Sequence, residues 1–185
     1  SSGVSLSEVG AKVPGNYSFF RLSDQLDTGN VIIKKKVFKD CGLFDKKFEK
    51  MRMGDAEFGL RSYLNGFINI SNPKALRKHL KTKIGGLRDM GHWDAFRPKN
   101  ILAPRPIPSV LYYYRKYWGD KSAIINCALI LPFSLLPYKY KSFKWSMLLS
   151  VILFFSLLPI ILVLFLISWR KSSNILHSPN QLELL

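Results

Sequence analysis

The longest uncharged stretch of the chain runs from Trp145 to Trp169 and is the feature that most constrains its fold. About 25 residues of helix are long enough to cross a hydrocarbon core of ~30 Å with some tilt. A tryptophan stands at each end, as in the aromatic belts of membrane proteins, and Arg170 follows as part of a basic stop signal. The sequence therefore predicts a transmembrane helix over 145–169, within which Pro159 is tolerated.

The acidic residues divide the chain into two parts. No Asp or Glu occurs between Lys121 and Gln181, whereas the preceding part is polar and mixed in composition. The net charge is +16, and the Lys and Arg residues crowd the flanks of the apolar segments. Anionic headgroups attract each such residue by about 1 kcal/mol near a membrane surface. Because the cations form no basic helix face and no nucleic-acid motif occurs, we expect membrane lipids as partners and no nucleic acid.

Composition predicts four consecutive regions. Prolines 104, 106 and 108 indicate a stiff linker, and the tyrosine-rich run after them is typical of an interfacial helix, with a core helix as the alternative. The lysines around the next apolar run do not decide between one and two spans. The predicted regions are residues 1–103, an α/β domain; 104–121, linker and interfacial helix; 122–171, membrane region, with 123–137 a span or re-entrant segment; and 172–185, a tail.

The first region alternates short apolar runs with a helical pattern, which favours an α/β layer. Two strands are too few for a stable sheet, and we expect their partners to lie in sequence preceding Ser1. Cys41 and Cys127 are too few for a disulfide framework, which favours a reducing, cytoplasmic setting. The predicted elements are, in order, a strand at Asn30–Lys34, a helical turn at Lys35–Cys41, a helix from Gly54 to about Leu64, and a strand at Phe67–Ile70 closed by Pro73.

Asp55, Glu57 and Arg61 fall on the predicted helix, and their spacing has an ordinary structural interpretation. Asp55 is a suitable N-cap for the N–H groups of Glu57 or Phe58, worth about 1 kcal/mol. Glu57 and Arg61 are four residues apart, as in surface ion pairs worth a few tenths of a kcal/mol. The functional alternative is a carboxylate held at a helix start to take a proton from a hydroxyl nucleophile.

Three segments, GNVIIKKKVFKDCGLFDKKF, MGDAEFGLRSYLNGF and PKALRKH, follow one another in the first region, and together they resemble glycosyltransferase family 2. GNVIIKKKVFKDCGLFDKKF is similar to the family's strand and short helix leading to "GlFD", and MGDAEFGLRSYLNGF resembles its "EDxxlxxRlxxxGy" helix. PKALRKH resembles the "PxAxvxH" segment at Pro73, Ala75 and His79. The segments occur in the family's order and spacing over residues 28–79. The resemblance implies part of a GT-A (Rossmann-like) domain followed by an interfacial helix and one or two transmembrane helices.

The resemblance also implies roles for individual residues. Asp55 falls on the family's general base, which deprotonates the acceptor hydroxyl for inverting transfer, although Gly54 replaces the usual Glu before it. Glu57 falls on a commonly acidic position and Arg61 on the helix arginine, so both become candidates for substrate binding. His79 falls where some GT-A enzymes place a metal ligand; a surface histidine in a basic run is an equal alternative.

The stretch GGLRDMGHWDAFRP resembles the mobile loop of membrane-linked family members. By residue chemistry, Arg88 or Arg97 is suited to a diphosphate, and Trp93 to stacking on a sugar face. An ordinary packed loop is an equal alternative for this stretch.

The DxD motif, through which the family holds its metal and nucleotide-sugar, is absent from the sequence. We therefore expect a fragment: the acceptor-side half and anchor of an enzyme in the bacterial inner membrane, its catalytic part cytoplasmic. The resemblance implies Mg²⁺ or Mn²⁺ held mainly by the other half, a nucleotide-sugar donor, and a glycan or polyprenyl-linked acceptor. The alternative function is a non-catalytic, basic, membrane-anchored scaffold.

Overall fold

The structure is a computed structural model, and its chain forms two compact units. Unit 1 comprises residues 1–49, 54–85 and 180–185, and unit 2 comprises residues 50–53 and 86–179. The residues that the structure describes are 2–6, 15, 18–23, 26–78, 100, 102–136, 145–179 and 182–183.

Unit 1 contains a small sheet and two helices. Its elements are β1 (Ser2–Leu6), β2 (Arg21–Leu22), α1 (Lys35–Cys41), a 3₁₀ turn (Lys46–Phe48), α2 (Gly54–Leu64) and β3 (Ile70–Lys78). The mixed composition of helix and strand agrees with the α/β prediction only at this coarse level. The finer expectation of a GT-A domain stays a prediction.

The sheet has the order β1-β3-β2, with β1 parallel and β2 antiparallel to the central strand. The predicted strand at 67–70 is wrong in position, since β3 begins at Ile70 and passes through Pro73. Between paired residues Ser71 and Leu76 the register with β1 is irregular. Pro73 lies in this irregular part, where its missing N–H is least costly to the ladder. A third strand therefore comes from β1, within this chain.

The core of unit 1 forms where α1 and α2 meet, around Val37, Cys41 and Phe58. The predicted strand over 30–34 is wrong, because the run makes only a single bridge at Val31. Its β-branched residues still alternate: Val31 and Ile33 pack on the core, while Ile32 is 83% exposed. The period-2 pattern thus arises because one face of this segment packs on the core, and not because the segment is a strand of the sheet.

A glycine follows each of the two helices of unit 1, whose predicted ends at Cys41 and about Leu64 are confirmed. Gly42 follows α1 with φ 79°, and its N–H donates to the carbonyl of Phe38. Gly66 follows α2 with φ 84°. Positive φ is the conformation that glycine adopts at least cost, which explains where both helices stop.

Residues near the end of the chain return to unit 1. The N–H of Leu43 donates to the carbonyl of Glu183 at 2.7 Å, and Lys46 pairs with the Glu183 carboxylate. A Cβ at Gly42 would lie 3.0 Å from the same carbonyl and close to Leu182. The loop between α1 and α2 is therefore covered by a segment that follows it by about 140 residues in sequence.

Unit 2 is helical in its described part. Its elements are α3 (Pro108–Ile130), a 3₁₀ turn (Leu131–Ser134), α4 (Ser146–Ser156) and α5 (Leu158–His177). The prediction of a single helix over 145–169 is wrong, because α4 and α5 are separated at Leu157, where ψ is 13°. Pro159 explains the break, since its ring clashes with the carbonyl four residues earlier and it lacks an N–H.

The helix α3 folds back on itself at Gly119, which has φ 76° and ψ 170°. Leu111 belongs to the same buried cluster as Ala123 and Cys127, residues that a straight helix would hold about 18–24 Å away. Arg105 ahead of the first arm donates to the Ser134 carbonyl beyond the second at 3.1 Å. We call α3 the helical hairpin from here on.

The predicted linker before the hairpin is packed rather than free. Arg105 is 3% exposed, and its N–H donates to the carbonyl of Leu164 in α5. The hydroxyl of Ser168 donates to the Pro106 carbonyl at 2.5 Å. These two hydrogen bonds to α5 hold the proline-rich segment in place. The segment is therefore packed against a helix and is not a free spacer.

Within the described residues, α5 is the one helix long and apolar enough to cross a membrane, and only 22% of its most apolar window is buried. Its buried positions, Ile161, Leu164, Ser168 and Ser172, lie on one side, while apolar side chains such as Leu166 are exposed. Such a surface suits lipid better than water. The structure thus supports membrane association at the level of one candidate span.

Candidate functional site

The site begins at the first turn of α2, which presents the carboxylate of Asp55 to solvent. Its Oδ1 accepts the N–H of Ala56 at 2.9 Å, one residue nearer than the capping partners that the sequence predicts. The amide N–H groups of a first turn carry partial positive charge, which favours an ionised carboxylate at this position. Asp55 is therefore an exposed acceptor at the start of a helix whose middle part, residues 56–62, is buried.

One turn later, Glu57 and Arg61 form an ion pair inside the unit. Glu57 is 0% exposed and Arg61 9% exposed. Nε of Arg61 lies 3.0 Å from Oε1 of Glu57, and Nη2 lies 3.1 Å from Oε2. The expectation of a surface pair is wrong, because this bidentate pair is enclosed by the core. A pair of this kind fixes geometry through charge-assisted hydrogen bonds.

Arg61 also binds the backbone after α1. Nη1 donates to the carbonyl of Cys41, and Nη2 donates to that of Leu43 at 2.8 Å. Its guanidinium lies 5.2 Å from the ring centroid of Phe58. Because Arg61 donates to Glu57 and also to the carbonyls of residues 41–43, it connects α2 rigidly to the GLFD loop. Since Asp55 lies on the first turn of α2, this connection also fixes its position.

The thiol of Cys41 lies beside the same guanidinium. Burial raises the pKa of the Cys41 thiol, an effect that Arg61 opposes and Asp40 reinforces. A raised pKa keeps the sulfur protonated at neutral pH, so Cys41 is not an activated nucleophile. Its place in the core explains the residue as a small apolar side chain.

A second polar cluster fixes the far end of α2. The amide nitrogen of Asn69 donates to the carbonyl of Gly59 at 2.8 Å and to the Ser62 hydroxyl at 3.1 Å. Ser62 is 1% exposed and Asn69 8%. The segment leading into β3 is thereby held against the helix. Neither residue was predictable from the sequence, because nothing in their spacing distinguishes them from loop residues.

The first and third of the family-like segments also meet. The amide nitrogen of Asn30 donates to the carbonyl of Ala75 at 2.9 Å. Arg77 lies 3.6 Å from Asp27, and its guanidinium occupies the place where a Cβ of Gly29 would stand. Unit 1 therefore holds residues 29–48, 54–67 and 73–78 in one folded body, on which Asp55 is exposed.

The remaining predicted site residues lie outside the described part of the chain. They are His79, Arg88, Trp93 and Arg97. Their roles stay predictions, as does substrate binding by Glu57 and Arg61. Among the residues that are described, no three His, Cys, Asp or Glu side chains come together as a cation site.

Comparison with known proteins found no similar protein. No family model matches the chain, and neither a curated protein nor a solved structure is significantly similar to it.

Proposed function

We propose that this chain is the acceptor-side part and membrane anchor of an inverting glycosyltransferase similar to family 2. The observation that carries the proposal is the setting of Asp55: an exposed carboxylate on the first turn of a helix that a buried Glu57–Arg61 pair fixes to the preceding loop. A general base needs such a combination, since it must reach solvent-borne substrate and yet hold its position.

In the proposed reaction, the Asp55 carboxylate removes the proton of an acceptor hydroxyl as that oxygen attacks the anomeric carbon of the donor sugar. The bond from the anomeric carbon to the nucleoside diphosphate breaks on the opposite side, which inverts the configuration. Glu57 and Arg61 hold α2 at the correct distance from the acceptor. Arg88 and Arg97 are proposed to contact the diphosphate, and Trp93 the sugar face.

A divalent metal, Mg²⁺ or Mn²⁺, is proposed to assist the leaving group when donor is bound. The described residues do not fit such an ion, because they hold no cluster of three potential ligands. We assign the metal mainly to a donor-binding half with a DxD motif, with His79 as a ligand from this chain.

Attachment to a membrane is the reason for proposing a membrane-associated acceptor. A helix such as α5, with exposed apolar side chains, would hold unit 1 near a polyprenyl-linked or membrane-associated glycan. The proposed location is the bacterial inner membrane, with unit 1 on the cytoplasmic side, where nucleotide-sugars are made.

Asp55→Asn tests the proposal in membranes from cells that express the complete reading frame containing this chain. With a panel of labelled nucleotide-diphosphate sugars, we expect transfer to membrane glycolipid to fall by at least about a hundredfold, the lower end of what a positioned base usually contributes. Asp40→Asn is the matched control, because it neutralises another exposed carboxylate, on α1. Near-normal transfer by Asp55→Asn would show that Asp55 is not the base.

The second candidate function is a non-catalytic, basic, membrane-anchored scaffold. It is favoured by the internal pairing of Glu57 with Arg61, which leaves Asp55 as the exposed member of the three residues. The DNA upstream of the Ser1 codon separates the two candidates. An uninterrupted frame encoding a Rossmann-like half with DxD supports the enzyme, and an immediate start codon supports the scaffold.

A further inference from the structure

The guanidinium of Arg115 is the centre of a junction within unit 2. It is 7% exposed and binds both carboxylate oxygens of Asp120, at 2.7 and 3.3 Å. Its Nη1 donates to the hydroxyls of Ser172 and Ser173, each at 2.7 Å, and to the carbonyl of Trp169 at 3.3 Å. The tip of the helical hairpin and the polar end of α5 are therefore joined at one place.

Four further cations are sequence neighbours of Arg115 or of its hydrogen-bond partners. Lys116 follows Arg115, and Lys121 follows Asp120. Arg170 and Lys171 lie between Trp169 and Ser172 on α5. The last three side chains are exposed and Lys116 is half-buried. We call these four residues the basic cluster. Since the Arg115 charge is already matched by its carboxylate partner, the cluster carries the local excess of positive charge.

Aromatic rings accompany the basic cluster. The guanidinium of Arg115 lies 4.0 Å from the ring centroid of Trp169. On the hairpin, the ring centroids of Tyr114 and Trp118 are 5.4 Å apart, and Trp118 is 46% exposed. Tryptophan and tyrosine beside cations are typical of the level at which a membrane protein meets lipid headgroups.

An apolar surface adjoins the basic cluster along α5. The exposed side chains in the turns before Trp169 are all apolar: Ile160, Leu162, Val163, Leu166 and Ile167. Cations and aromatic rings at the end of an exposed apolar helix complement a bilayer surface, in which phosphate groups lie above hydrocarbon.

We propose that the basic cluster binds the phosphate headgroups of anionic phospholipids. This rests on the membrane attachment contained in the proposed function, and adds to it a specific contact site and a lipid preference. The Arg115 junction joins the part of the hairpin that carries Lys116 and Lys121 to the end of α5 that carries Arg170 and Lys171. An anionic surface would then meet four cations together, and their attraction adds.

The test uses the full chain transferred from mild detergent to vesicles of phosphatidylcholine, alone or mixed with phosphatidylglycerol, with flotation as the measurement. The wild-type chain should partition more strongly into the anionic vesicles, and added salt should reduce that preference. The triple variant Lys121→Gln/Arg170→Gln/Lys171→Gln should lose about tenfold to a hundredfold of the preference, with unchanged binding to neutral vesicles.

Two matched variants distinguish binding at the basic cluster from a general effect of the net charge of the chain. Lys34→Gln/Lys35→Gln/Lys39→Gln removes the same charge at exposed positions of unit 1 and should keep the preference within about twofold, because these residues lie outside the cluster. A charge-conserving exchange of Lys and Arg at the three cluster positions should also keep it. An equal loss in the unit 1 variant would overturn the proposal, since total charge alone would then account for the binding.

The remaining outcomes distinguish this proposal from the function on which it rests. Equal partitioning of the wild-type chain into neutral and anionic vesicles overturns the headgroup site but leaves membrane attachment standing. Failure to bind either kind of vesicle overturns both. Retained lipid preference in the triple variant, together with lost affinity for a labelled DNA duplex, would identify the cluster as a nucleic-acid surface and overturn the lipid assignment.

Discussion

At the scale of single residues, the stability of unit 1 depends on a charge that has been removed from water. Arg61→Met would remove the guanidinium that the buried Glu57 carboxylate binds, and would leave the carbonyls of residues 41–43 without this donor. Removing one partner of a buried pair costs about 3–5 kcal/mol, so we expect unit 1 to become susceptible to protease at much lower urea concentration. The measurement is limited proteolysis of the full chain in detergent across a urea series.

An exposed pair provides the control for this prediction. Lys36 and Asp40 lie 2.7 Å apart with side chains that are 73% and 40% exposed, so Lys36→Met should cost less than about 1 kcal/mol. Replacing both buried partners, as Glu57→Leu/Arg61→Met, should recover part of the loss, because no carboxylate then remains unpaired. Equal protease sensitivity of the two single variants would argue against a structural role for the buried pair.

At the scale of elements, the helical hairpin depends on the backbone of Gly119. Its φ of 76° with ψ of 170° belongs to a region that is essentially restricted to glycine. No other atom approaches a Cβ placed there, so Gly119→Ala introduces backbone strain alone, worth about 1–3 kcal/mol. We expect the thermal unfolding midpoint in detergent to fall by about 2–4 °C for each kcal/mol.

Gly15→Ala is the matched exchange, because Gly15 has equally open surroundings and no positive φ. It should leave the midpoint unchanged. An unchanged midpoint for Gly119→Ala as well would mean that the hairpin does not require the observed turn.

The elements also show how far the sequence predicts this fold. The helix Gly54–Leu64 was predictable, because acidic residues at its start and glycine after its end are local signals that tertiary packing does not override. The strand at Ile70–Lys78 was not, since Pro73 normally ends a strand and only the irregular pairing with β1 accommodates it. The same limit applies to Arg61, whose spacing from Glu57 is identical in a surface pair and in a buried one.

At the scale of the whole molecule, the chain is expected to be retained in membranes through α5. Leu162 and Leu166 are 52% and 63% exposed, and a lysine at the centre of a span costs about 2.5–3.5 kcal/mol. Leu162→Lys/Leu166→Lys should therefore release the chain from membranes on alkaline carbonate extraction. Asn174→Lys/His177→Lys adds the same two lysines at exposed positions near the polar end and should leave the chain in the pellet. Retention of both variants would show that α5 is not the anchor.

The return of Leu182 and Glu183 to the loop beside Gly42 has a consequence for the order in which the protein is made. A ribosome releases α1 and α2 long before these two residues, and all of α4 and α5 must be synthesised in between. Until then the N–H of Leu43 lacks the carbonyl that it finally binds. The contact between this loop and Glu183 therefore forms only after α4 and α5 have been synthesised, so translation itself delays completion of the loop that Arg61 holds.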